Sequence, residues 1–336
     1  MTKKILTFGE IMLRMTTEKG VRLSDASHVH MHYGGAEANV AISLAHLGHV
    51  SYFVSKVPKH PLGQGVIKHL KANHVQCDRL LHGGNRLGMY FLESGTAQRD
   101  PRVLYDRKGS SFSELMSDEV DFKELLRGID LFHVSGITLA LSQSLRDMTY
   151  EAVIQARKLG IKVSFDFNYR PALWSHQDAA RAIRPILPYV NIAFLGELDA
   201  LHILSMSPQT SENKADRLSF YYDELQETFP NISYMASTFR DVQTSSCHFL
   251  QGNLFHNGTL TQSEIHPITE IIDRIGSGDA FSSGIMHGLL KGFSNKETVS
   301  FATMNAVLKH TISGDCNVFT EEEIRAFSHS KVGVQR

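Results

Sequence analysis

The stretch that decides the fold covers residues 273–281 and reads Asp-Arg-Ile-Gly276-Ser277-Gly278-Asp279-Ala-Phe. A helix is predicted directly after it, over residues 280–291. Glycines at positions 276 and 278 let the backbone turn its N–H groups toward one point, and the new helix adds the positive end of its dipole. The stretch therefore predicts an anion hole, formed by Gly276, Ser277 and Gly278, for a phosphate whose charge develops during transfer.

Asp279 lies at the edge of that predicted anion hole, where a phosphate would repel a carboxylate. The position makes sense if Asp279 takes a proton from an attacking hydroxyl group. A plain glycine-rich helix start is an alternative of about equal weight for this stretch alone. A dinucleotide fingerprint would need Gly or Ala where Phe281 stands, and a Walker A loop would need a following Gly-Lys-Ser/Thr. Both are disfavoured.

A second glycine-rich segment, Gly34-Gly35-Ala-Glu-Ala-Asn39-Val-Ala, opens a helix predicted over residues 36–47. Paired glycines let a ligand approach the backbone closely. The amide of Asn39, one turn into the helix, offers both a donor and an acceptor to a polyol. For this segment alone, a tight turn between a strand and a helix remains the somewhat favoured alternative.

Aromatic and cationic side chains form a third group of candidates. Tyr105 and Arg107 share one face of a predicted strand, and Tyr90 lies on the strand before it. An aromatic ring and a guanidinium on one face suit a sugar that carries a carboxylate, although a mixed surface strand explains them as well. Arg170, in the stretch Asp166-Phe-Asn-Tyr-Arg-Pro, follows a predicted parallel strand. It would lie at the end of the sheet where open α/β folds bind ligands, placed to hold an anion.

Short apolar strands alternate with longer helical segments along most of the chain. Strands are predicted over residues 5–12, 51–57, 131–137, 162–167, 191–195 and 232–238, and helices over residues 36–47, 62–72, 142–159, 174–187, 217–229, 280–291 and 296–310. This alternation predicts an α/β fold whose mostly parallel central sheet is flanked by helices on both faces. Residues 13–33 and 86–113 contain strand-like runs without helices and predict a small inserted β-sheet. The predicted body then comprises residues 1–12, 34–85 and 114–336.

The composition excludes several classes of protein. The 336 residues carry 34 Lys and Arg against 35 Asp and Glu, a net charge of −1, which disfavours a nucleic-acid partner. No apolar run approaches the roughly 20 residues needed to span a bilayer. No small-residue cleavage site follows the N-terminal stretch, so a secreted protein is not expected. Cys77, Cys247 and Cys316 are far apart and show no zinc spacing. A cytoplasmic globular protein is the expectation.

Taken together, these motifs resemble those of the ribokinase-like (PfkB) carbohydrate kinases. Gly34-Gly35 resembles the N-terminal signature of the family, and residues 276–279 resemble its C-terminal Gly-Ala-Gly-Asp signature, with Ser277 in place of Ala. The resemblance covers almost the whole chain, and within the family it is strongest to kinases of 2-keto-3-deoxygluconate. It implies a ribokinase-like fold and transfer of a phosphoryl group from ATP to the C6 hydroxyl of that sugar acid.

The resemblance also implies roles for individual residues. Asp279 is the expected base, with Gly276, Ser277 and Gly278 as the anion hole. The residues expected to bind the sugar acid are Gly34, Gly35, Asn39, Tyr90, Tyr105, Arg107, Arg170 and Asp315. The residues expected to bind ATP are Asn168, Ser237, Arg240, Gly276, Gly278 and Asn305. The inserted β-sheet is expected to close as a lid that excludes water.

Two segments depart from the family pattern. Its Asn-x-x-Glu motif, associated with Mg²⁺ and phosphate, aligns with Gly196-Glu197-Leu198-Asp199, which lacks the Asn and has Asp in place of Glu. Glu197 and Asp199 stay the candidate Mg²⁺ residues, acting through water. The Lys-x-Gly-x-x-Gly nucleotide loop is replaced by residues 237–242, Ser-Thr-Phe-Arg-Asp-Val, in which Arg240 supplies a positive charge.

Several alternatives remain open on the sequence alone. The chain would also fit a kinase for fructose, ribose or a related deoxy sugar acid, or a sugar-acid-binding sensor that has lost catalysis because of the altered 196–199 motif. The resemblance leaves activation by a monovalent cation open, and it leaves open a homodimer or higher homo-oligomer through the lid.

Overall fold

The computed structural model describes residues 2–96 and 99–329. Its strands are β1 (Lys4–Phe8), β2 (Met12–Thr16), β3 (His30–Gly34), β4 (Val50–Val54), β5 (Lys56–Val57), β6 (Leu81–His82), β7 (Met89–Glu93), β8 (Arg102–Asp106), β9 (Leu131–Ser135), β10 (Lys162–Asp166), β11 (Ile192–Phe194), β12 (Tyr234–Thr244), β13 (Cys247–His256), β14 (Thr259–Gln262) and β15 (His266–Thr269). Its α-helices are α1 (Ala36–His46), α2 (Pro61–Ala72), α3 (Phe122–Leu125), α4 (Gly136–Leu141), α5 (Gln143–Lys158), α6 (His176–Ile183), α7 (Glu197–His202), α8 (Lys214–Thr228), α9 (Ser277–Lys291), α10 (Asn295–Lys309) and α11 (Glu321–His329).

Nine strands form the central sheet, in the order β14-β13-β12-β11-β10-β9-β1-β4, and β15 pairs with the other part of β13. The strands from β4 through β1, β9, β10 and β11 to β12 run parallel. Strands β13, β14 and β15 add an antiparallel edge. The expected mostly parallel sheet is confirmed.

Helices cover both faces of this sheet because its parallel strands are apolar on both sides. In β1, Ile5 belongs to an apolar cluster with side chains of α1, α9 and α10. The next residue, Leu6, belongs to a separate cluster with side chains of α5, α6 and α8. Both residues are fully buried. Consecutive residues of one strand thus anchor helices on opposite faces.

A second, smaller sheet has the strand order β3-β2-β7-β8. The single strand expected over residues 5–12 is wrong, because the chain leaves the central sheet after Phe8 and its continuation, β2, joins the small sheet. Gly9 marks the crossing, since a side chain there would collide with the carboxylate of Glu37. The small sheet is therefore tied to the body by a short, tightly packed connection.

The antiparallel edge was not expected from the sequence. Asn257 and Gly258 have φ angles of +50° and +70° and form the two-residue turn between β13 and β14. Asn-Gly is a strong signal for such a hairpin, because both positions need positive φ. The strand predicted over residues 51–57 is divided into β4 and β5. The strand predicted over residues 131–137 ends at Ser135, and α4 begins at Gly136.

The architecture brings several loops to one edge of the central sheet. The carboxyl ends of β1, β9, β10 and β11 lie side by side, since these strands are parallel neighbours. Open α/β folds bind ligands at this edge. Within residues 2–96 and 99–329, no helix combines the length and the apolar character that crossing a membrane requires.

Candidate active site

The loop before α9 is held in shape at both of its ends. Gly276 has a φ of +80°, and a side chain there would collide with the backbone carbonyl of Asp315, so only glycine fits without strain. Asp273 fixes the other end, because its Oδ1 accepts a hydrogen bond from the backbone N–H of Ile275 (3.0 Å). We call residues 273–279 the anion loop.

The first turn of α9 presents backbone donors to the space in front of the anion loop. By helix geometry the N–H groups of Gly278 and Asp279 have no carbonyl partner inside the helix. The N–H of Ser277 has a long contact with the carbonyl of Arg274 (3.4 Å), and its hydroxyl accepts a hydrogen bond from Arg240 (2.7 Å). The loop can therefore bind an anion with backbone N–H groups and with the dipole of a 15-residue helix.

Asp279 is half-buried beside these donors. Its Oδ2 accepts a hydrogen bond from the amide of Asn39 (2.7 Å). Burial raises the pKa of Asp279 to about 6, an effect that Asn39 and Arg170 oppose and that Glu37 and Asp315 increase. A carboxyl group with a pKa of about 6 is ionised at neutral pH and still takes up a proton readily, which are the properties of a general base.

A cavity of about 590 Å³ lies between the anion loop and the small sheet, and Asp279 is part of its wall. We call it the first cavity. The expected sugar-binding residues on its wall are Gly35, Asn39, Tyr90, Tyr105, Arg107, Arg170 and Asp315. Gly34 lies behind the wall, at the end of β3, where a side chain would collide with the carboxylate of Asp315.

The small sheet contributes an aromatic surface to the first cavity. The rings of Tyr90 and Tyr105 are 5.8 Å apart, centroid to centroid, and the guanidinium of Arg107 lies 5.8 Å from the ring of Tyr105. The hydroxyl of Tyr90 donates a hydrogen bond to the carboxylate of Asp315. The three residues predicted to act together thus line one side of the same cavity.

The two expected carboxylate-binding arginines differ in their surroundings. Arg107 is buried and paired with Glu10, whose Oε2 accepts a hydrogen bond from its Nε (2.8 Å). Arg170 is exposed, and within the described residues it donates only to the backbone carbonyls of Tyr169 (3.0 Å) and Asn168 (3.4 Å). The charge of Arg107 is thus partly neutralised, whereas that of Arg170 is available to an anionic ligand.

Two further arginines, Arg240 and Arg274, line the first cavity next to the anion loop. In the described part of the chain, neither guanidinium forms an ion pair. Burial lowers the pKa of Arg240 to about 10, and the neighbouring charge of Arg274 lowers it further in the same direction. Two like charges without counterions, beside free backbone N–H groups, make this corner of the cavity attractive to an anion.

A second cavity of about 590 Å³ adjoins the first. Of the residues expected to bind ATP, Asn168, Ser237, Arg240 and Gly278 lie on its wall. The residues that belong to both walls are Asp166, Asn168, Arg170, Arg240 and Gly278. The two cavities therefore meet at the anion loop.

Asn305 lies in neither cavity. Its side chain is fully buried, and its Nδ2 donates to the backbone carbonyl of Ala280 (2.7 Å) while its Oδ1 accepts from Asn317. These bonds join α10 to the start of α9. The structure thus places Asn305 behind the anion loop, where it supports the helix rather than facing the space for a nucleotide.

The candidate Mg²⁺ residues line the second cavity. Both carboxylate oxygens of Glu197 accept hydrogen bonds from Arg217 (2.7 and 3.1 Å). Asp199 accepts a hydrogen bond from the backbone N–H of Gly196 (2.8 Å), and burial raises its pKa. Glu197 is thus already neutralised by a cation, whereas Asp199 is not.

Asp166, at the end of β10, is a third carboxylate on the wall of the second cavity. Burial raises its pKa to about 8, with a further contribution from Asp279. A divalent cation nearby would relieve this cost of ionisation, so Asp166 and Asp199 fit such an ion. Among the described residues there is no cluster of three or more His, Cys, Asp or Glu that could hold a metal. The fit is therefore to an ion that keeps water and phosphate ligands, as Mg²⁺ does.

Several residues of the site were not singled out from the sequence. They are Glu10, which pairs with Arg107, Glu37, Asp166, Asp273 and Arg274. The stretch Gly9-Glu-Ile-Met-Leu-Arg14 did contain a signal. Its two charged residues, Glu10 and Arg14, stand among apolar residues and are buried, and buried charges need partners.

The chain is similar to known carbohydrate kinases over almost its whole length. A sequence model described as pfkB family carbohydrate kinase matches residues 2–322. A 2-dehydro-3-deoxygalactonokinase of Haloferax volcanii is 30% identical over 337 residues, covering 100% of both chains.

Two solved structures show the same fold. A PfkB family carbohydrate kinase from Listeria grayi has a TM-score of 0.93 and 40% identity and covers 98% of this chain and 100% of its own. A 2-dehydro-3-deoxygluconokinase from Thermotoga maritima has a TM-score of 0.94 and 36% identity, with the same coverage. The ribokinase-like fold expected from the motifs is confirmed.

Proposed function

The chain belongs to the pfkB family of carbohydrate kinases, and we propose that it phosphorylates 2-keto-3-deoxygluconate (2-dehydro-3-deoxygluconate) at its C6 hydroxyl, with ATP as the donor. The observation that carries the proposal is the placement of Asp279 at the end of the anion loop, on the wall of the first cavity and directly after Gly278, which lines both cavities. A sugar in the first cavity and a nucleotide in the second would bring their reacting atoms together there.

In this proposal Asp279 accepts the proton of the C6 hydroxyl. The hydroxyl oxygen forms a bond to the γ-phosphorus as the bond from that phosphorus to the β–γ bridging oxygen breaks, and ADP leaves with that oxygen. The hydrogen bond from Asn39 (2.7 Å) holds the carboxylate in one orientation and keeps it ionised. The geometry thus supports in-line transfer, with catalysis coming mainly from positioning and charge.

Negative charge on the transferred group would be held by the anion loop. The N–H groups at the start of α9 face the group directly, and the free guanidinium charges of Arg240 and Arg274 lie beside them. Arg240 is fixed by its hydrogen bond to Ser277 (2.7 Å). Arg240 would thereby supply the charge that the missing lysine loop supplies in the family pattern.

The carboxylate of the sugar acid would be recognised by Arg170 and Arg107. Arg170 offers an unpaired charge, and Arg107 offers a buried one whose position Glu10 fixes. Tyr90 and Tyr105 would cover the carbon chain between them. The names of the two relatives differ in gluconate and galactonate, which are epimers at C4. We favour the gluconate form because the resemblance of the motifs is strongest there.

Kinases of this family use ATP with Mg²⁺. We propose that Asp166 and Asp199 would hold the ion, largely through water, at the wall of the second cavity. When bound, Mg²⁺ supplies charge neutralisation for the phosphates. Glu197 instead pairs with Arg217, so its contribution would be to hold α7 in place.

The small sheet is proposed to act as a lid over the first cavity, and its outer face to bind a second copy of the chain. Met15, Met31, Phe91 and Leu104 are register partners across the four strands and form one apolar row. Met31 and Leu104 are 56% and 57% exposed, which is unusual for side chains of this size on a free surface. A homodimer would cover the row.

Replacing Asp279 by Asn tests the proposed base. We expect kcat to fall roughly 1,000-fold, because a general base contributes on the order of 10²–10⁴, while binding of the sugar acid measured by calorimetry persists. Asp178→Asn is the matched control, since that carboxylate is exposed and pairs only with Arg181 and Ser175 among the described residues. Near-normal turnover in Asp279→Asn would show that another group is the base. Sugar binding without any turnover in the unmodified protein would favour the sensor.

A further inference from the structure

A buried arginine joins the small sheet to the loops that carry the site, and the mechanism above does not use it. Arg14, in β2, has 2% of its side chain exposed. Its Nε donates to Oγ1 of Thr16 (2.7 Å), its Nη1 to Oδ1 of Asp315 (2.7 Å) and its Nη2 to Oδ2 of Asp273 (2.6 Å). A desolvated guanidinium is costly unless each donor is matched in this way, so the arrangement is specific.

The contact with Asp315 involves two strands of the small sheet at once. Arg14 and Tyr90 are register partners in β2 and β7, and they bond to different oxygens of the same carboxylate. The backbone carbonyl of Asp315 in turn packs against Gly276, at the point where a side chain would stand. A movement of the small sheet would therefore displace Asp315 and, with it, the centre of the anion loop at Gly276.

The contact with Asp273 reaches the beginning of the same loop. Oδ2 of Asp273 accepts from Arg14 and from the backbone N–H of Gly314 (3.1 Å), while Oδ1 accepts from the N–H of Ile275 (3.0 Å). One carboxylate thus shapes the turn that leads into Gly276 and is itself held by Arg14. The start and the centre of the anion loop therefore depend on the same guanidinium, through Asp273 and Asp315.

We propose that Arg14 is a positioning residue for phosphoryl transfer, which couples the closed position of the small sheet to the shape of the anion loop through Asp273 and Asp315. The inference rests on the proposed function. Arg14 is not part of the wall of the first cavity but lines a neighbouring one of about 450 Å³. It acts through its two carboxylate partners, not on the substrate.

A consequence for the pH profile follows from the charges that face Asp279. These are Glu37, Asp166 and Asp315, which disfavour its ionised form, and Arg170, which favours it. Without Arg14, Asp315 would lose its paired counter-charge, and the nearby buried ammonium of Lys309 bonds only to backbone carbonyls among the described residues. The pKa of Asp279 would then rise. Since the base works ionised, the acidic limb of the pH–rate profile would move to higher pH.

The test compares Arg14→Met and Arg14→Lys with the control Arg99→Met. The control removes the ion pair between Arg99 and Glu93, the last residue of β7 in the small sheet. We expect Arg14→Met to lower kcat about 100-fold, the size of effect caused by a small misplacement of reacting groups. KM for ATP should change little, and the acidic limb should move up. Arg14→Lys should restore the position of the limb but not the full rate, and Arg99→Met should match the unmodified protein.

A double variant keeps the test decisive if Arg14→Met fails to fold. Arg14→Met with Asp273→Asn removes one charge of each sign and leaves the tie to the loop broken. A kcat close to that of the unmodified protein in either variant, with an unshifted pH profile and only a lower melting temperature, would overturn the proposal. All variants are assayed on the sugar that the unmodified protein phosphorylates best. An error in the proposed substrate then shows in the unmodified protein, whereas an error in the role of Arg14 shows only in the variants.

Discussion

Asp279 combines two requirements that conflict in water. A base must be ionised at the working pH, yet it must bind a proton well enough to take one from an alcohol. Burial satisfies the second requirement by raising the pKa to about 6, and the hydrogen bond from Asn39 satisfies the first. The neighbouring Asp166, with less compensation, has its pKa raised to about 8. Two carboxyl groups within one site thereby acquire different roles.

A pH profile checks this assignment at the level of the single residue. We expect kcat/KM for the sugar to fall below about pH 6, by about tenfold per pH unit, because only the ionised form of Asp279 accepts the proton. The measurement is the steady-state rate with the Mg²⁺ complex of ATP saturating. A profile that stays flat well below the pKa of Asp279 would show that its ionisation does not limit the reaction.

The residues that line the site could be predicted from the sequence where a local motif alone places a side chain on a cavity wall. This holds for Asp279, Asn39 and Arg170, which follow directly from a glycine turn or a strand end. It does not hold for Asn305, whose position depends on how α10 packs against α9. The partnership of Arg107 with Glu10 joins residues 97 positions apart, and no local pattern encodes it.

At the level of elements, the start of α9 shows how one turn sets up the chemistry. Gly276 is left-handed, and the carbonyl of Asp315 fills the space of its absent side chain. This close contact fixes the turn, so that the helix dipole and the first N–H groups of α9 point at the same anion position. Gly292, which ends the same helix, has a similar φ of +78° but open space around it.

This contrast gives a matched pair of substitutions. Gly292→Ala should lower the free energy of unfolding by about 1–2 kcal/mol, because a side chain disfavours the left-handed conformation. Gly276→Ala should lower it by more, because its methyl group would also collide with the carbonyl of Asp315. Only Gly276→Ala should also lower kcat, about 100-fold, since it displaces the anion loop from Asp315. Chemical denaturation and steady-state kinetics provide the two readouts. Equal kinetic effects in both variants would contradict the role given to the loop.

The elements themselves were predictable where one period of apolar residues runs without interruption, as in α5 and α10. The boundaries of the elements were not predictable where one apolar run passes from the central sheet to the small sheet. Residues 5–12 form one apolar run in the sequence, yet the chain leaves the central sheet after Phe8 and enters the small sheet at Met12. Gly9 lies at this crossing, packed against Glu37. The β13–β14 hairpin was missed although its Asn257-Gly258 turn was readable.

On the scale of the whole molecule, two sheets enclose the site from opposite sides. The central sheet supplies the strand ends and the anion loop, and the small sheet supplies Tyr90, Tyr105 and Arg107. The first cavity shares the charge balance of the whole chain, because its four arginines lie on one wall with five carboxylates, Glu10, Glu37, Asp166, Asp279 and Asp315. The outer face of the small sheet remains apolar, which motivates the proposed homodimer.

The homodimer can be tested by charging its apolar row. Met31→Lys combined with Leu104→Lys should shift the mass measured by analytical ultracentrifugation from dimer to monomer, because a dimer would bury two ammonium groups from each copy without counter-charges. Val242→Lys is the control, because Val242 is an exposed apolar residue outside the row. A monomeric unmodified protein, or a double variant that stays dimeric, would contradict the proposed interface.

The most direct measurement of the central claim is ATP consumption by the unmodified protein, with Mg²⁺, on four substrates. These are 2-keto-3-deoxygluconate, its C4 epimer 2-keto-3-deoxygalactonate, fructose and ribose. We predict that kcat/KM for 2-keto-3-deoxygluconate is the highest and exceeds that for the neutral sugars at least about 100-fold, because a neutral sugar offers no carboxylate to Arg170 and leaves Arg107 with Glu10 alone. Turnover confined to fructose or ribose would contradict the account.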